Sequence, residues 1–571
     1  MDIPRYALIA ASAVLTLMLL VEWTAFKEAR QTSESRQRIA QTAPAGKVGN
    51  DLPSAQSSSS ESIGDTGTNA DLPAISQPEA VTAVEPQQRA DRYVAVTTDM
   101  LELAIDLQGG DIVEAALRQF PDAIDTPDAP YVLLEQNQTR TYVAQSGLLG
   151  SGDFGIDKPQ RAQYTTANLS YDAGNQPLTV TLAWTGNNSD GLEVYKHFSF
   201  KPGHYLVDVR FEIRNNSDSR WQGVPFAQLK RDNSPPPDAD STGFGLQPFL
   251  GAALTQPDER FTKFAFDDIA DEPFRKALPG GWIAIIQHYF LSAWVPPAEA
   301  THQYSTRQTD SGFNIVGFTS PAITVDAGRS ADYTAQLYVG PKDQYRLADI
   351  SEHLDLTVDY GWLWWIAQPL FWLLTKIQSL VGNWGVAIIL LTVLVKGAFF
   401  RLSAASYRSM AKMRKVQPKM QAIREEYAND KQKQSQAMME LYRKEKINPM
   451  GGCLPILIQM PVFISLYWVL MESVELRQAP FALWIDDLSV MDPYFVLPIL
   501  MGASMFFMQK LNPPPPDPMQ AKLMQWLPVV FTFFFLWFPA GLVLYWLVNN
   551  LLSMTQQYII TRRIEQDGKH A

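Results

Sequence analysis

An apolar run interrupted by one cation, Gly385–Leu402 (GVAIILLTVLVKGAFFRL), constrains this chain more than any other stretch. At about 1.5 Å per residue it approaches the thickness of a bilayer's hydrocarbon core, so it reads as a membrane-spanning helix. Lys396 sits inside the run. A charge there costs about 2.5–3.5 kcal/mol on insertion-derived scales and needs a reason to be present. Thr392, four residues before, and Ser403, seven after, share its helical face. Two readings fit these residues. Lys396 either snorkels toward the headgroups past Arg401, or it belongs to a functional polar stripe.

The rest of the chain divides by composition. Ala7–Val21 is an apolar segment with only Arg5 before it and no small-residue cleavage site after it, which predicts an uncleaved anchor over 1–26. Residues 27–90 lack aromatics and are rich in Ser, Gln, Ala, Pro and Glu; they cannot bury enough apolar surface to offset ordering entropy and read as a tether. Residues 91–350 change to period-two alternation with Gly, Asn and Pro turns, as in 178–186, 195–200, 204–217, 281–297 and 331–340. That pattern predicts an all-β sandwich, with Trp184, Trp221, Trp282 and Trp294 in its core. Residues 351–382 hold Trp362, Trp364, Trp365 and Trp372, the composition of an interfacial amphipathic helix, ending in a turn at Gly382-Asn383 before the span at 383–402.

Residues 401–447 carry twelve Lys/Arg against five Asp/Glu. Met413, Val416, Met420, Ile423 and Tyr427 are spaced 3, 4, 3, 4, a coiled-coil seam, and Asn429-Asp430 marks a turn. A basic helical hairpin over 403–447 follows, with Arg408, Lys412, Arg414, Lys415 and Lys419 offering charge to anionic lipid or ribosomal RNA, and with a kink expected at Pro418. Four more apolar segments fill 448–562: Pro449–Leu470, Pro493–Met508, Leu523–Phe538 and Gly541–Ile560. Tyr545, Asn549, Ser553 and Gln556 form one polar stripe on the last, and Gln459 puts a similar group on the first. The acidic loop 471–492 contrasts with the basic 401–447, which puts the first outside and the second in the cytoplasm. The expected fold class is therefore an α-helical polytopic membrane protein of six transmembrane helices. Its large β-sandwich is expected outside, and its hairpin, both termini and the short tail 563–571 in the cytoplasm.

Chemistry of the catalytic kind finds no footing. The formal charge of −12 argues against a general nucleic-acid binder, and a single cysteine, Cys453, excludes an intrachain disulfide. The six histidines show no metal-ligand spacing, and no GxxxxGK[ST] loop is present. No enzyme activity, metal or cofactor is expected.

The segments 448–470, 474–489, 492–502 and 534–553 (NPMGGCLPILIQMPVFISLYWVL, VELRQAPFALWIDDLS, DPYFVLPILMG, FFLWFPAGLVLYWLVNNLLS) strongly resemble the YidC/Oxa/Albino family of membrane protein insertases. The N-terminal anchor and β-rich domain resemble its Gram-negative form, whose periplasmic domain is a supersandwich like galactose mutarotase. The resemblance implies a hydrophilic groove open to cytoplasm and lipid, with the groove cation at Lys396 and substrate-touching positions at Thr392 and Trp546. The polar positions Gln459, Tyr545, Asn549 and Ser553 join them as candidate groove residues. Implied partners are nascent membrane proteins, the Sec translocon, the lipid bilayer and, weakly through so short a tail, the ribosome. The competing readings are a solute or anion transporter with Lys396 as its anion site, and a scaffold whose sandwich captures periplasmic ligands. Against the transporter, no internal repeat relates the two halves.

Overall fold

The computed structural model describes residues 92–150, 156–157, 161–186, 191–237, 248–428, 430–445, 454–511 and 518–567. The expected anchor (1–26), the tether (27–90) and the last residues of the tail lie outside the described residues.

Alternation becomes a sandwich in the first half. Leu206–Asn215 buries every second residue and pairs antiparallel with Leu192–Phe200 on one side and Arg329–Pro341 on the other. Val207, Val209, Phe211 and Ile213 thereby line one face of a nine-stranded sheet, which packs with an eleven-stranded one. Residues 281–297 make two strands rather than one, Ile283–Ile286 and Phe290–Val295, joined in a hairpin. Both are buried without interruption, because both faces of this hairpin are covered. Trp221, Trp282 and Trp294 are core residues, and Trp184 is half-buried.

A charged cluster is enclosed between the sheets. Lys196 is fully buried and donates to the carbonyls of Gly109 (3.1 Å), Gly110 (2.7 Å) and Ser146 (2.9 Å). The turn holding two of these acceptors needs positive φ at Gly109 (91°) and Gly110 (60°), and a Cβ on Gly110 would meet the Lys196 side chain at 2.9 Å. Arg161 bridges Asp111 and Asp157 beside it. Burial pushes the Lys196 ammonium down to about 7, against the pull of Asp111. An unfolded chain keeps that proton to about pH 10.4, so between these values the unfolded state binds more protons and stability owed to Lys196 rises with pH. Lys196→Met is therefore expected to destabilise the protein more at pH 9 than at pH 6.5, by up to about 2.5 kcal/mol. Thermal unfolding of both proteins at the two pH values reads this directly, and a pH-independent difference would refute it.

Two short helices, α1 (Phe266–Asp271) and α2 (Gln344–Ile350), belong to the β-domain. The helical part follows as α3 (Trp364–Val381), α4 (Trp384–Ala398), α5 (Phe400–Glu426), α6 (Lys431–Lys444), α7 (Leu454–Glu472), α8 (Val496–Leu511), α9 (Pro518–Phe534) and α10 (Ala540–Asp567). Helix α3 buries Ala367, Phe371, Leu374 and Ile377 and exposes Trp364, Trp365 and Trp372. It ends on Gly382 in the left-handed region, and Asn383 caps α4 by accepting from the Val386 amide.

Helix α4 departs from expectation. The run 385–402 is not one straight helix: Phe399 leaves the helical well (φ −90°, ψ 8°) and α5 continues at 68° to α4. Gly397, a weak helix former, lies two residues before the break. The sharp bend thus falls at Phe399, while α5 runs on through Pro418. Among the described residues no single helix is long and apolar enough to cross a membrane alone; α4 and α5 pass only as a bent pair, and Val496–Leu511 and Lys522–Trp537 are shorter apolar helices.

The β-domain and the helical part share one hydrophobic core. At their junction Lys342 pairs with Glu472 at 2.6 Å, both almost fully buried. Arg477 donates to the carbonyls of Pro121 (2.8 Å) and Asp122 (3.0 Å), and a His288 ring nitrogen lies 2.9 Å from the Met471 carbonyl.

Candidate functional site

Helix α4 buries Ala387, Ile388, Leu391, Thr392 and Lys396 along one face while Val393 and Leu394 stay exposed. That periodicity carries Lys396 inward against α7 and α10. Its Nζ donates to Gln459 Oε1 at 3.1 Å and to Ser553 Oγ at 2.7 Å, and Lys396 is only 4% exposed. The Ser553 hydroxyl donates to the Asn549 carbonyl at 2.7 Å, and the Tyr407 hydroxyl from α5 reaches the same serine. Both side-chain partners of the cation are neutral. Among the described residues no carboxylate pairs with the ammonium.

The candidate residues do not all meet. Lys396, Gln459 and Ser553 form the hydrogen-bonded centre, and Asn549 contributes its backbone. Thr392 is buried one turn away, and its hydroxyl donates back to Ile388 at 2.6 Å. Tyr545 is buried two turns along α10 and stacks on Phe463 at 6.1 Å. Trp546 lies in an aromatic cluster with Phe463 (4.5 Å), Phe535 (5.0 Å) and Phe531 (6.1 Å), away from the lysine's hydrogen bonds. Gln556 ends the α10 stripe half-buried, with a buried Oε1 that has no partner among the described residues.

Sequence reasoning missed Asn550, which donates to Ser504 of α8 at 3.0 Å, and Gln557, which donates to the Leu511 carbonyl at 3.1 Å. These two lie seven residues apart, a second polar stripe on α10 that the same periodicity would have revealed.

On the hairpin, Val416, Met420 and Leu441 are buried between α5 and α6 with Met413, Ile423 and Met438 around them. Arg408, Lys412, Lys415 and Lys419 are exposed at spacings of 4, 3 and 4, hence on one face, and Lys419 also pairs with Glu445 at 2.6 Å. Arg414 differs: it is half-buried and donates to the Leu511 carbonyl at the end of α8. Among the described residues no cluster of His, Cys, Asp and Glu could hold a metal.

The family described as "YidC periplasmic domain" matches residues 93–373, and "60Kd inner membrane protein" matches 376–567. A "Membrane protein insertase YidC" of Stutzerimonas stutzeri is 50% identical over 575 aligned residues, and one of Marinomonas sp. is 49% identical over 571; each alignment covers all of both chains. A solved YidC insertase with its first transmembrane domain resolved is 19% identical, covering 81% of this chain and 92% of that one, with a TM-score of 0.36. These full-length relatives do not favour the transporter reading. The chain belongs to the YidC family of bacterial inner-membrane protein insertases, with a β-sandwich periplasmic domain followed by a helical part.

Proposed function

We propose that the polar cluster around Lys396 receives the hydrophilic tail of an incoming membrane protein while the client's apolar helix passes sideways into lipid. The activity itself is membrane-protein insertion, and the family is not one of enzymes. What carries the site assignment is a buried cation on three converging helices whose hydrogen-bond partners, Gln459 and Ser553, are both neutral. Such a charge attracts acidic residues in a client tail. Hydrophobic partitioning supplies most of the drive, and a potential positive outside adds about 2.3 kcal/mol per acidic charge per 100 mV. Thr392, Tyr545, Asn549 and Trp546 flank the path.

In this reading six spans cross the membrane with both termini in the cytoplasm, the loop 471–492 outside and the hairpin inside. The bend at Phe399 then lies at the cytoplasmic face, where α5 leaves the membrane. The basic stripe of Arg408, Lys412, Lys415 and Lys419 faces anionic headgroups or a ribosome, and the Sec translocon shares clients. Since Lys396 is almost fully enclosed, the groove opens there only when a client displaces Gln459 or Ser553. Photocrosslinkers at positions 392, 396, 459 and 546 are expected to capture a stalled nascent chain. Capture confined to the outward-facing positions 393 and 394 would reject the groove.

A further inference from the structure

A cavity of about 630 Å³ lies where the β-domain meets the ends of α7, α9 and α10, remote from Lys396. That volume is in the range of small-molecule sites, roughly 300–1,000 Å³. Its lining mixes apolar and charged side chains, and the β-domain contributes Ile124, Pro248 and Leu250 to the apolar part. The helical side supplies Tyr467, Met471, Val490, Met491 and Phe538, and Phe249 of the β-domain adds to the apolar wall. The remaining β-domain side and the adjoining loop supply Gln287, His288, Arg477, Asp122 and Asp487.

One polar atom behind this lining lacks a partner among the described residues. Gln287 is 1% exposed; its Oε1 accepts from the Tyr131 hydroxyl at 3.1 Å, and its Nε2 is buried with no acceptor. Arg477 is fixed by two backbone carbonyls, so its charge is positioned but not neutralised by them. The mouth is continuous with apolar surface: Val490 and Met491 are exposed at the rim, and Phe533 and Phe534, on the last turn of α9, are exposed beside it.

We propose that this cavity binds one zwitterionic aminophospholipid from the outer leaflet. An acyl chain lies along the apolar lining, against Tyr467, Met471 and Phe249. The phosphate faces Arg477, and the ammonium faces Asp487 and Asp122. Opposite charges on one wall match a headgroup that carries both signs, which an anionic lipid or an apolar peptide does not. The inference rests on the membrane placement of the helices given above. It assigns the junction a ligand beyond client insertion: a lipid held between the two parts of the chain.

The test reconstitutes the full chain in vesicles of phosphatidylethanolamine and phosphatidylglycerol, with a diazirine on the acyl chain of one lipid or the other. Labelled residues are then mapped by mass spectrometry. Tyr467, buried from bulk lipid, is expected to be labelled by the phosphatidylethanolamine probe several-fold more than by the phosphatidylglycerol probe. Phe533 is expected to be labelled by both. Ala123→Trp, which places an indole in the cavity from an exposed position, should remove the Tyr467 label and spare Phe533; Val490→Trp serves if the first variant misfolds. A labelled Phe533 with an unlabelled Tyr467 overturns the lipid site and leaves the membrane placement standing. Loss of both labels overturns both. Displacement of the Tyr467 label by a stalled nascent chain makes the cavity a client site and overturns the lipid.

Discussion

Lys396→Glu is expected to abolish insertion of clients whose translocated tails are acidic, while clients with neutral tails retain most of their insertion. The ammonium is held by Gln459 and Ser553, two neutral groups, so its charge is available to a client. At about 8 Å and an effective dielectric constant of about 20, one unit charge attracts another by about 2 kcal/mol. Reversing the sign swings the interaction by about 4 kcal/mol, roughly a thousandfold in partitioning. Lys396→Arg keeps the charge and is expected to be tolerated, although its fork cannot reproduce both bonds unchanged. Protease protection of a reporter in proteoliposomes reads all three proteins. Equal insertion of acidic tails by Lys396→Ala and the unaltered protein would remove charge attraction from the mechanism.

The second large effect belongs to the junction. Glu472→Ala should cost about 3–5 kcal/mol, because it leaves Lys342 charged and buried with no counter-ion. The double change Lys342→Met with Glu472→Leu should recover most of that loss, since no charge then remains to be solvated. Limited proteolysis and thermal unfolding of the purified protein distinguish the two variants. If the single and double variants unfold alike, the pair is not what makes the junction costly to disrupt.

How much of this was legible beforehand varies with the range of the interaction. The turn at Gly382-Asn383, the strands of the sandwich and the seam at Val416 and Met420 follow from local chemistry and period, and they were readable. The convergence of Lys396, Gln459 and Ser553 was half readable. Each residue's polar face could be inferred, but the register of three helices could not. The break at Phe399 was hidden because the residues on both sides of it suit a helix, and only a weak helix former at Gly397 marks it. Trp546 went to an aromatic cluster since its packing on Phe463 depends on a helix far away in sequence. The Lys342–Glu472 pair spans 130 residues, and nothing near either one announces the other.

The bend at Phe399 also makes α5 a lever. Its 27 residues form an arm of roughly 40 Å, whereas Lys396 lies three residues, roughly 4–5 Å, on the other side of the pivot. A swing of the hairpin tip is therefore divided about ninefold at the lysine. The basic stripe is closer to the pivot, so a displacement of several ångströms there is divided about three- to sevenfold and becomes about an ångström at the lysine, enough to lengthen the 2.7 Å bond to Ser553. The arm is braced near its pivot, where Ala404 and Tyr407 pack on Ile560, and again at Arg414. Whatever grips the outer arm must work against those two braces to move Lys396.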